Sequence, residues 1–181
     1  MYLIAMITIT HAPPDADARI ESLLDRAFGP TRHLKPAQRL RDGRLPAEGL
    51  AFIAHDGANI LGTISFWHVR IGHSADALLL GPMAVEPALR GQGIGIALIN
   101  HGLEQAKALG HRAVILVGDE PYYRRFGFAA DKTQAISLPG PVDRERFLAT
   151  ELGSNTLTAA SGLVRPTGLL VPPRPRLKRA A

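Results

Sequence analysis

The stretch Arg90-Gly91-Gln92-Gly93-Ile94-Gly95 lies between an apolar run at 77–85 and a segment at 94–108 whose apolar residues follow helical spacing. This order predicts a glycine loop that ends at a helix N-terminus. The first backbone N–H groups of a helix lack intrahelical partners and lie at the positive end of the helix dipole. Because glycine lets a ligand approach those donors closely, the stretch predicts an anion-binding loop of the kind that holds phosphate.

Two well-known glycine loops do not fit the spacing. A dinucleotide loop needs glycine at its first, third and sixth places, and the sixth place is Ile96 counted from Gly91 or Leu98 counted from Gly93. A P-loop ends in Gly-Lys-Ser/Thr, but neither a lysine nor a hydroxyl residue follows Gly95. The sequence therefore argues against both a dinucleotide and a nucleoside triphosphate bound with magnesium.

The spacing that remains, Arg/Gln-x-x-Gly-x-Gly/Ala, resembles the pyrophosphate loop of the GNAT superfamily of acyl-CoA-dependent N-acetyltransferases. Downstream, residues 122–128 (Tyr-Tyr-Arg-Arg-Phe-Gly-Phe) are similar to the Tyr-x-x-x-Gly-Phe pattern that closes the acetyl-CoA site in that superfamily. Two matches in the right order are more specific than either alone. Residues 77–128 as a whole look most like the YhbS-type branch of uncharacterised bacterial members.

The composition indicates one globular domain. The chain has 181 residues, of which 46% are apolar and 20% charged. It contains no cysteine, which excludes disulfides, thiol nucleophiles and cysteine-bound metals. The apolar segment 1–10 has no basic region before it and predicts a strand, not a signal peptide or membrane span. We therefore expect a cytoplasmic protein with no metal and no membrane segment.

The high pI of about 10.1 comes from the C-terminal end. Five of the 21 basic residues lie in 165–181, a Pro-rich segment without acids, and the other 16 balance the 16 acidic residues. Such a segment cannot build a core, so we expect a single acetyltransferase domain at 1–164 and a solvated basic tail at 165–181. Contact of the tail with RNA or a membrane is the minority interpretation, and nucleic acid is an unlikely partner.

Along the chain, periodicity and turn residues predict alternating strands and helices. The predicted helices are 15–28, 94–108, a short one from Asp119 to Gly127 and a short one at 147–152. Residues 30–49 are predicted to form a loop or short helix, and the resemblance implies that they border the acceptor side of the site. The predicted strands are 1–10, 50–55, 60–69, 77–85, 113–117, one starting at Phe128, 135–138 and 157–164. The resemblance implies an α/β fold of the α+β type, with a mixed sheet of about six to seven strands flanked by helices.

Gly81-Pro82 interrupts the strand at 77–85, and a proline there removes a ladder hydrogen bond. We expect a bulge or splay at this point. The resemblance implies that this fourth strand parts from the fifth and that the acetyl-pantetheine arm enters the gap. An ordinary edge-strand defect is the alternative, but the glycine loop immediately downstream favours the functional interpretation.

The resemblance also implies roles for individual residues. The loop would hold the pyrophosphate, and backbone N–H groups at 83–85 would bind pantetheine and polarise the thioester. Tyr123, four residues before Gly127, occupies the place of the general acid, while Tyr122 packs or contacts the cofactor. The predicted cofactor-binding residues are Met83, Ala84, Val85, Arg90, Gly91, Gln92, Gly93, Ile94, Gly95, Ile96, Gly118, Tyr122, Tyr123 and Arg125.

The sequence does not fix the general base. Glu86 is the named candidate, His68, His73 and Asp76 are others, and a water chain is a further alternative. Asp119 stands where many members of the superfamily have asparagine, and either replaces that contact or caps the helix. The candidate partners of the adenosine 3′-phosphate are Arg124, Arg125, Lys107 and His111.

The leading hypothesis is an acetyl-CoA-dependent N-acetyltransferase. It would transfer an acetyl group to a primary amine of a small molecule, peptide or protein by direct attack on the thioester, as a monomer or homodimer. The alternatives are a non-catalytic acyl-CoA-binding regulatory module and an RNA- or ribosome-associated protein that works through the basic tail. The acceptor and the acyl-chain preference are not readable from the sequence.

Overall fold

The computed structural model describes residues 7–172, and its centre is one mixed sheet. The strands are β1 Thr8–His11, β2 Ala51–His55, β3 Ile60–Ile71, β4 Ala75–Val85, β5 Ala113–Val117, β6 Ile136–Ser137, β7 Phe147–Glu151 and β8 Gly162–Pro166. The α-helices are α1 Asp17–Phe28, α2 Ile94–Ala108 and α3 Glu120–Tyr123. The 3₁₀ helices are Pro14–Ala16, Pro30–Leu34, Pro36–Leu40, Pro87–Leu89, Arg124–Phe126, Asp131–Thr133 and Arg144–Arg146.

The strands follow the order β1-β2-β3-β4-β5-β7, and β8 pairs with both β3 and β6. Neighbours along that path are antiparallel except β4 and β5, which are parallel and joined through α2. A mixed sheet flanked by helices confirms the expected α+β fold. In the described residues the sheet has eight strands, slightly more than expected.

The C-terminal third corrects two predictions. Residues 147–152, predicted as a possible helix, form β7, which pairs antiparallel with the whole of β5. Phe147, Leu148 and Ala149 are fully buried, and periodicity cannot distinguish a short, continuously buried run in a strand from one in a helix. The strand predicted to start at Phe128 is reduced to a single bridge between Ala129 and Ala149.

The core lies on both faces of the sheet. Successive strand residues point to opposite sides, so Leu78 and Val114 join one apolar cluster while Leu79 and Ile115 join another. Helix α2 packs on the first cluster so closely that a Cβ on Gly102 would lie 2.5 Å from the Phe66 ring. The sheet and α2 therefore form a well-packed support for the loop at the start of α2.

The described part of the expected tail lies against the domain. Arg165 and Pro166 belong to β8 and pair with the end of β3. Beyond them, Leu45 N donates to Leu169 O at 2.8 Å, and Val171 N donates to Gly43 O at 2.9 Å. Residues 1–6 and 173–181, with most of the basic residues assigned to the tail, lie outside the described residues.

Two further features concern the partner predictions. No helix within 7–172 combines the length and the apolar composition needed to cross a membrane. In the same part of the chain, no cluster of three or more histidine or acidic side chains is arranged to hold a metal ion.

Candidate active site

Strands β4 and β5 separate partway along their length. Their parallel pairing covers only Leu78 with Val114 and Leu79 with Ile115. Immediately afterwards β4 bulges: Ile64 of β3 pairs with Met83 and Phe66 pairs with Leu80, so a single β3 residue faces both Gly81 and Pro82. Beyond the bulge β4 stays paired with β3 and leaves β5. The predicted bulge and the predicted splay are both confirmed.

The bulge is held by two features of Gly81. Its φ of +124° is a conformation that L side chains rarely adopt. Its carbonyl oxygen accepts a hydrogen bond of 2.5 Å from Trp67 Nε1 on β3. The β3 indole therefore fixes the position at which the two strands part.

A cavity of about 890 Å³ opens at this gap. One half is formed by β4 beyond the bulge, the glycine loop, the first turn of α2, the end of β5 and α3. Because it contains the residues predicted to bind the acyl donor, we call this the donor half. The other half is formed by the 3₁₀ segments at 30–40 and by residues 141–146; because it includes part of the segment expected to border the acceptor, we call it the acceptor half. Of the residues predicted to bind cofactor, all except Gln92 line the cavity.

The loop presents a helix N-terminus without a side-chain cap. Helix α2 begins at Ile94 after Gly93, whose φ is +83°, and no side chain hydrogen-bonds to the N-terminal N–H groups. Gly91 has the same φ, and a Cβ on either glycine would meet no atom within 4 Å. The conformation requires glycine at these positions while leaving open space beside the backbone donors. Such a site can bind an anion through its N–H groups.

Two other glycines permit the tyrosines of α3 to approach. A Cβ on Gly95 would lie 2.9 Å from the Tyr122 hydroxyl oxygen, so this hydroxyl lies against the first turn of α2. A Cβ on Gly118 would lie 2.3 Å from Cε2 of Tyr123, so that ring lies directly on the backbone after β5. The glycines of this half therefore position side chains as well as exposing backbone N–H groups.

Tyr123 occupies an aromatic environment beside the cavity. Its ring packs edge-on against Tyr122 at 5.0 Å and against Phe128 at 5.9 Å between centroids. Burial raises the pKa of Tyr123 well above its ordinary value, and the nearby Tyr122 and Asp119 add to the shift. The hydroxyl makes no hydrogen bond to any described residue. The phenol is therefore protonated at neutral pH and free to donate.

None of the base candidates lines the cavity. Glu86 forms an ion pair of 2.9 Å with Arg26 of α1. Asp76 pairs with Arg70 at 2.7 Å on the other end of the β3–β4 hairpin. His68 stacks at 5.3 Å on His111, away from the gap, and His73 lies in the hairpin turn. The structure does not bring these groups together with Tyr123.

Of the other side chains predicted from the sequence, some line the cavity and others are ion-paired or lie elsewhere. Arg125 lines the cavity, with its guanidinium 5.1 Å from the centre of the Tyr122 ring. Arg124 instead pairs with Glu120 through two hydrogen bonds of 2.8 Å. Lys107 and His111 lie at the far end of α2. Asp119 makes no capping hydrogen bond and pairs with Arg146 at 3.2 Å.

Sequence reasoning missed the individual residues of the acceptor half. It placed this half in the region 30–49 but named none of Arg32, Lys35, Gln38 or Arg41, all of which line the cavity. It also missed Arg146, which immediately precedes β7, the segment predicted as a helix. The available signal was two short segments that begin with Pro30 and Pro36 and are rich in basic residues.

Comparisons with known proteins identify the fold and the family. The acetyltransferase (GNAT) domain model matches residues 47–130, which include the bulge, the loop and both tyrosines. A GNAT family acetyltransferase from Brucella melitensis, solved in complex with acetyl-CoA, is 32% identical; the match covers 81% of this chain and 96% of that one, with a TM-score of 0.58. The chain belongs to the GNAT family.

Within the GNAT family the chain is similar to YhbS of Escherichia coli K12, an uncharacterized N-acetyltransferase. The two are 29% identical over 160 residues, which span 88% of this chain and 95% of YhbS. The crystal structure of E. coli YhbS in complex with CoA matches with a TM-score of 0.75 over 89% of both chains. The predicted membership of the GNAT superfamily, with its YhbS-like character, is confirmed, and the protein is a GNAT acyltransferase.

Proposed function

We propose that this GNAT protein binds acetyl-CoA in the gap between β4 and β5 and transfers the acetyl group to a primary amine of a small molecule or protein. One observation carries the proposal: a single cavity at the gap is lined both by the uncapped N-terminus of α2 and by Tyr123. The solved relatives with CoA and acetyl-CoA support the choice of donor.

The donor half suits a pyrophosphate and a pantetheine arm. Gly91 and Gly93 leave open space beside the loop backbone, and the first N–H groups of α2 are available to phosphate oxygens. Arg90 and Arg125 add positive charge to this wall. The unpaired edge of β4 at 83–85 offers backbone groups to the amides of a pantetheine arm, as a missing strand would.

The chemistry follows from what acetyl-CoA supplies: an acetyl thioester whose C–S bond breaks as a C–N bond forms with an uncharged amine. Backbone N–H groups beyond the bulge stabilise negative charge at the carbonyl oxygen. The Tyr123 hydroxyl donates its proton to the departing sulfur. Because burial raises the pKa of Tyr123, this hydroxyl holds its proton throughout the neutral range.

The proton released by the amine leaves through solvent in this proposal. Glu86 is ion-paired and does not line the cavity. The carboxylates that do line it are engaged: Asp119 pairs with Arg146, and Asp143 accepts from Glu145 N at 3.0 Å. The arrangement favours a water path over a side-chain base.

The test is CoA release from acetyl-CoA across amino acids, amines and peptides, read with a thiol reagent. Because the chain has no cysteine, free thiol reports CoA alone. We expect Tyr123→Phe to lower kcat by about 100-fold, since general acids contribute roughly that much. Tyr122→Phe removes the hydroxyl at the start of α2, and we expect it mainly to raise the KM for acetyl-CoA.

Donor binding is tested separately by thermal unfolding with CoA. A ligand that binds only the folded state stabilises it, by about 2.7 kcal/mol at 100 times its Kd. Absence of any stabilisation by CoA would contradict the proposal. A different result would indicate a non-catalytic acyl-CoA-binding module: CoA stabilises wild type and Tyr123→Phe equally, and no acceptor is acetylated.

A further inference from the structure

Arg41 is a cation of the acceptor half that lacks an acidic partner. It follows the 3₁₀ helix Pro36–Leu40 and lines the cavity. Its Nη2 donates to Gln38 Oε1 at 3.0 Å, while its Nε is buried without a hydrogen-bond partner. Among the described residues no carboxylate forms an ion pair with it. The protein thus places a partly buried guanidinium, with a fully buried Nε, beside the cavity without an ion-pair partner.

The other cations around the cavity are neutralised or solvated. Arg32 pairs with Asp25 at 2.8 Å and also with Glu21. Arg146 pairs with Asp119 at 3.2 Å. Lys35 is exposed and lies 5.0 Å from the centre of the Phe28 ring. Arg41 differs from all of these because it forms no ion pair and its Nε is buried without a hydrogen-bond partner.

The charge on Arg41 persists despite its surroundings. Burial lowers the pKa of Arg41 to about 10; the nearby charges of Asp42 and Glu21 oppose this lowering, and Arg32 adds to it. The guanidinium is therefore still protonated at neutral pH. An uncompensated buried charge destabilises a folded protein, and a bound anion relieves that penalty.

Arg41 also lies at the place where the reaction is proposed to occur. Its Nη1 is 3.4 Å from the position that a Cβ on Gly81 would take, and Gly81 is the bulge at which β4 leaves β5. In the proposed acetyl transfer, the acyl end of the donor reaches this bulge from the glycine loop. An anion held by Arg41 would therefore lie beside the reacting carbonyl, on the side from which the acceptor enters.

We propose that the acceptor is an amine that also carries a carboxylate, and that Arg41 binds this carboxylate while the amine reaches the thioester. The inference rests on the proposed function and names the substrate class of the same site. A guanidinium suits this role because its planar array of N–H donors matches the oxygens of a carboxylate. Polyamines and aminoglycosides, which bring only positive charge, do not fit this half of the cavity.

The test compares matched acceptors that differ only in the anion, such as glycine with glycinamide and other amino acids with their amides. We expect wild type to prefer the acid in such pairs by tenfold or more in kcat/KM. Arg41→Met should remove the preference through KM for the acid, with amides little affected. Arg41→Lys, which keeps the charge without the planar array, should fall between.

The matched control is Arg39→Met in the 3₁₀ helix that Arg41 follows. Arg39 donates to Pro139 O at 2.9 Å, is exposed and does not line the cavity. Arg39→Met removes the same charge as Arg41→Met. Because Arg39 does not line the cavity, the preference of this variant for acids over amides should equal that of wild type. Two results would overturn the inference. One is that wild type acetylates amides with the same kcat/KM as acids, and the other is that Arg41→Met lowers kcat/KM equally for acids and amides.

A binding measurement keeps the inference testable if no amine turns over. A panel of N-acetyl amino acids and their amides is titrated into the protein in the presence of CoA. We expect at least one acid to bind more tightly than its amide in wild type and in Arg39→Met, and not in Arg41→Met. If no acid does, the inference fails, whereas failure of CoA itself to bind would remove the proposed function instead.

Discussion

The donor half and the acceptor half of the cavity are built in different ways. The donor half is made of backbone: a bulged strand edge, a glycine loop and a helix N-terminus, with glycines that admit two tyrosines. The acceptor half is made of long side chains on or beside 3₁₀ segments, of which Arg41 is partly buried and forms no ion pair. Backbone sites require particular glycines and prolines at fixed spacing, whereas side-chain sites on irregular segments leave no such pattern. The difference suggests that the backbone half serves one constant donor, whereas the side-chain half can be adapted to different acceptors.

The largest expected effect is the loss of kcat caused by adding a single methyl group in the donor half. In Gly118→Ala the new Cβ would lie 2.3 Å from the Tyr123 ring and 3.1 Å from Leu116 Cδ1, so the ring must move. Displacement of a reacting group by about 1 Å lowers rates by roughly 100-fold, and we expect at least that loss in kcat. Steady-state kinetics with a competent acceptor measure it.

The control for this prediction is Gly102→Ala in α2. Its Cβ would lie 2.5 Å from the Phe66 ring, an equally severe overlap but within the core. Overpacking of this kind typically destabilises by about 1–3 kcal/mol. We expect Gly102→Ala to lower the melting temperature while leaving kcat nearly unchanged below it. Equal losses of kcat in both variants would show that the rate depends on general stability and not on Tyr123.

A second, smaller effect concerns the support of the acceptor half. Residues 43–45, just after Arg41, pair with the C-terminal segment: Leu45 with Leu169, Gly43 with Val171, and Arg44 with Leu170 through a β-bridge. Deleting 165–181 removes these contacts and the last pairs of β8. With about 1 kcal/mol for each hydrogen bond, we expect a loss of roughly 2–4 kcal/mol in the free energy of unfolding.

The same deletion should distinguish the two halves kinetically. We expect the KM for the acceptor to rise several-fold, because Arg41 loses its neighbouring support, while the KM for acetyl-CoA stays constant. Deletion of 173–181 alone leaves every described contact in place and should change neither value. A rise in the KM for acetyl-CoA in the longer deletion would mean that the two halves are not independent.

All of the residues predicted to bind cofactor except Gln92 line the cavity, and the reason is visible in particular residues. Gly81-Pro82 predicts a bulge because proline cannot donate to the ladder of backbone hydrogen bonds. Gly93 predicts the start of α2 because the glycine loop leads into a helix at that residue. The acceptor half could be placed only by region. Nothing in the spacing of Arg32 or Arg41 shows which is paired, because their partners are set by tertiary packing.

The strand β7 shows a different limit of the sequence. Its residues Phe147, Leu148 and Ala149 are covered on both faces, by β5 as neighbour and by the core clusters above and below. A run buried on every side has no polar alternation, so the periodicity that identifies a half-exposed strand is missing. Only the pairing with β5, 30 or more residues earlier in the chain, identifies it as a strand.

The smallest expected effect is a divergence of two pH profiles, and it tests both halves at once. Burial raises the pKa of Tyr123 above its ordinary value of about 10, so kcat should show no loss from this group up to that pH. Burial lowers the pKa of Arg41 to about 10, so the guanidinium loses its charge as the pH rises through that value. Affinity for an acid acceptor should then fall about twofold at the pKa of Arg41 and about tenfold per further pH unit.

The measurement is kcat/KM for an amino acid divided by kcat/KM for its amide, between pH 7 and 10.5. Taking this ratio removes the ionisation of Tyr123, which both acceptors share, provided that the ionisation of each amine is measured and corrected for. A ratio that stays constant in wild type would place the specificity of the acceptor half outside Arg41, whereas a ratio that falls in wild type and is already low and flat in Arg41→Met would tie it to this one side chain.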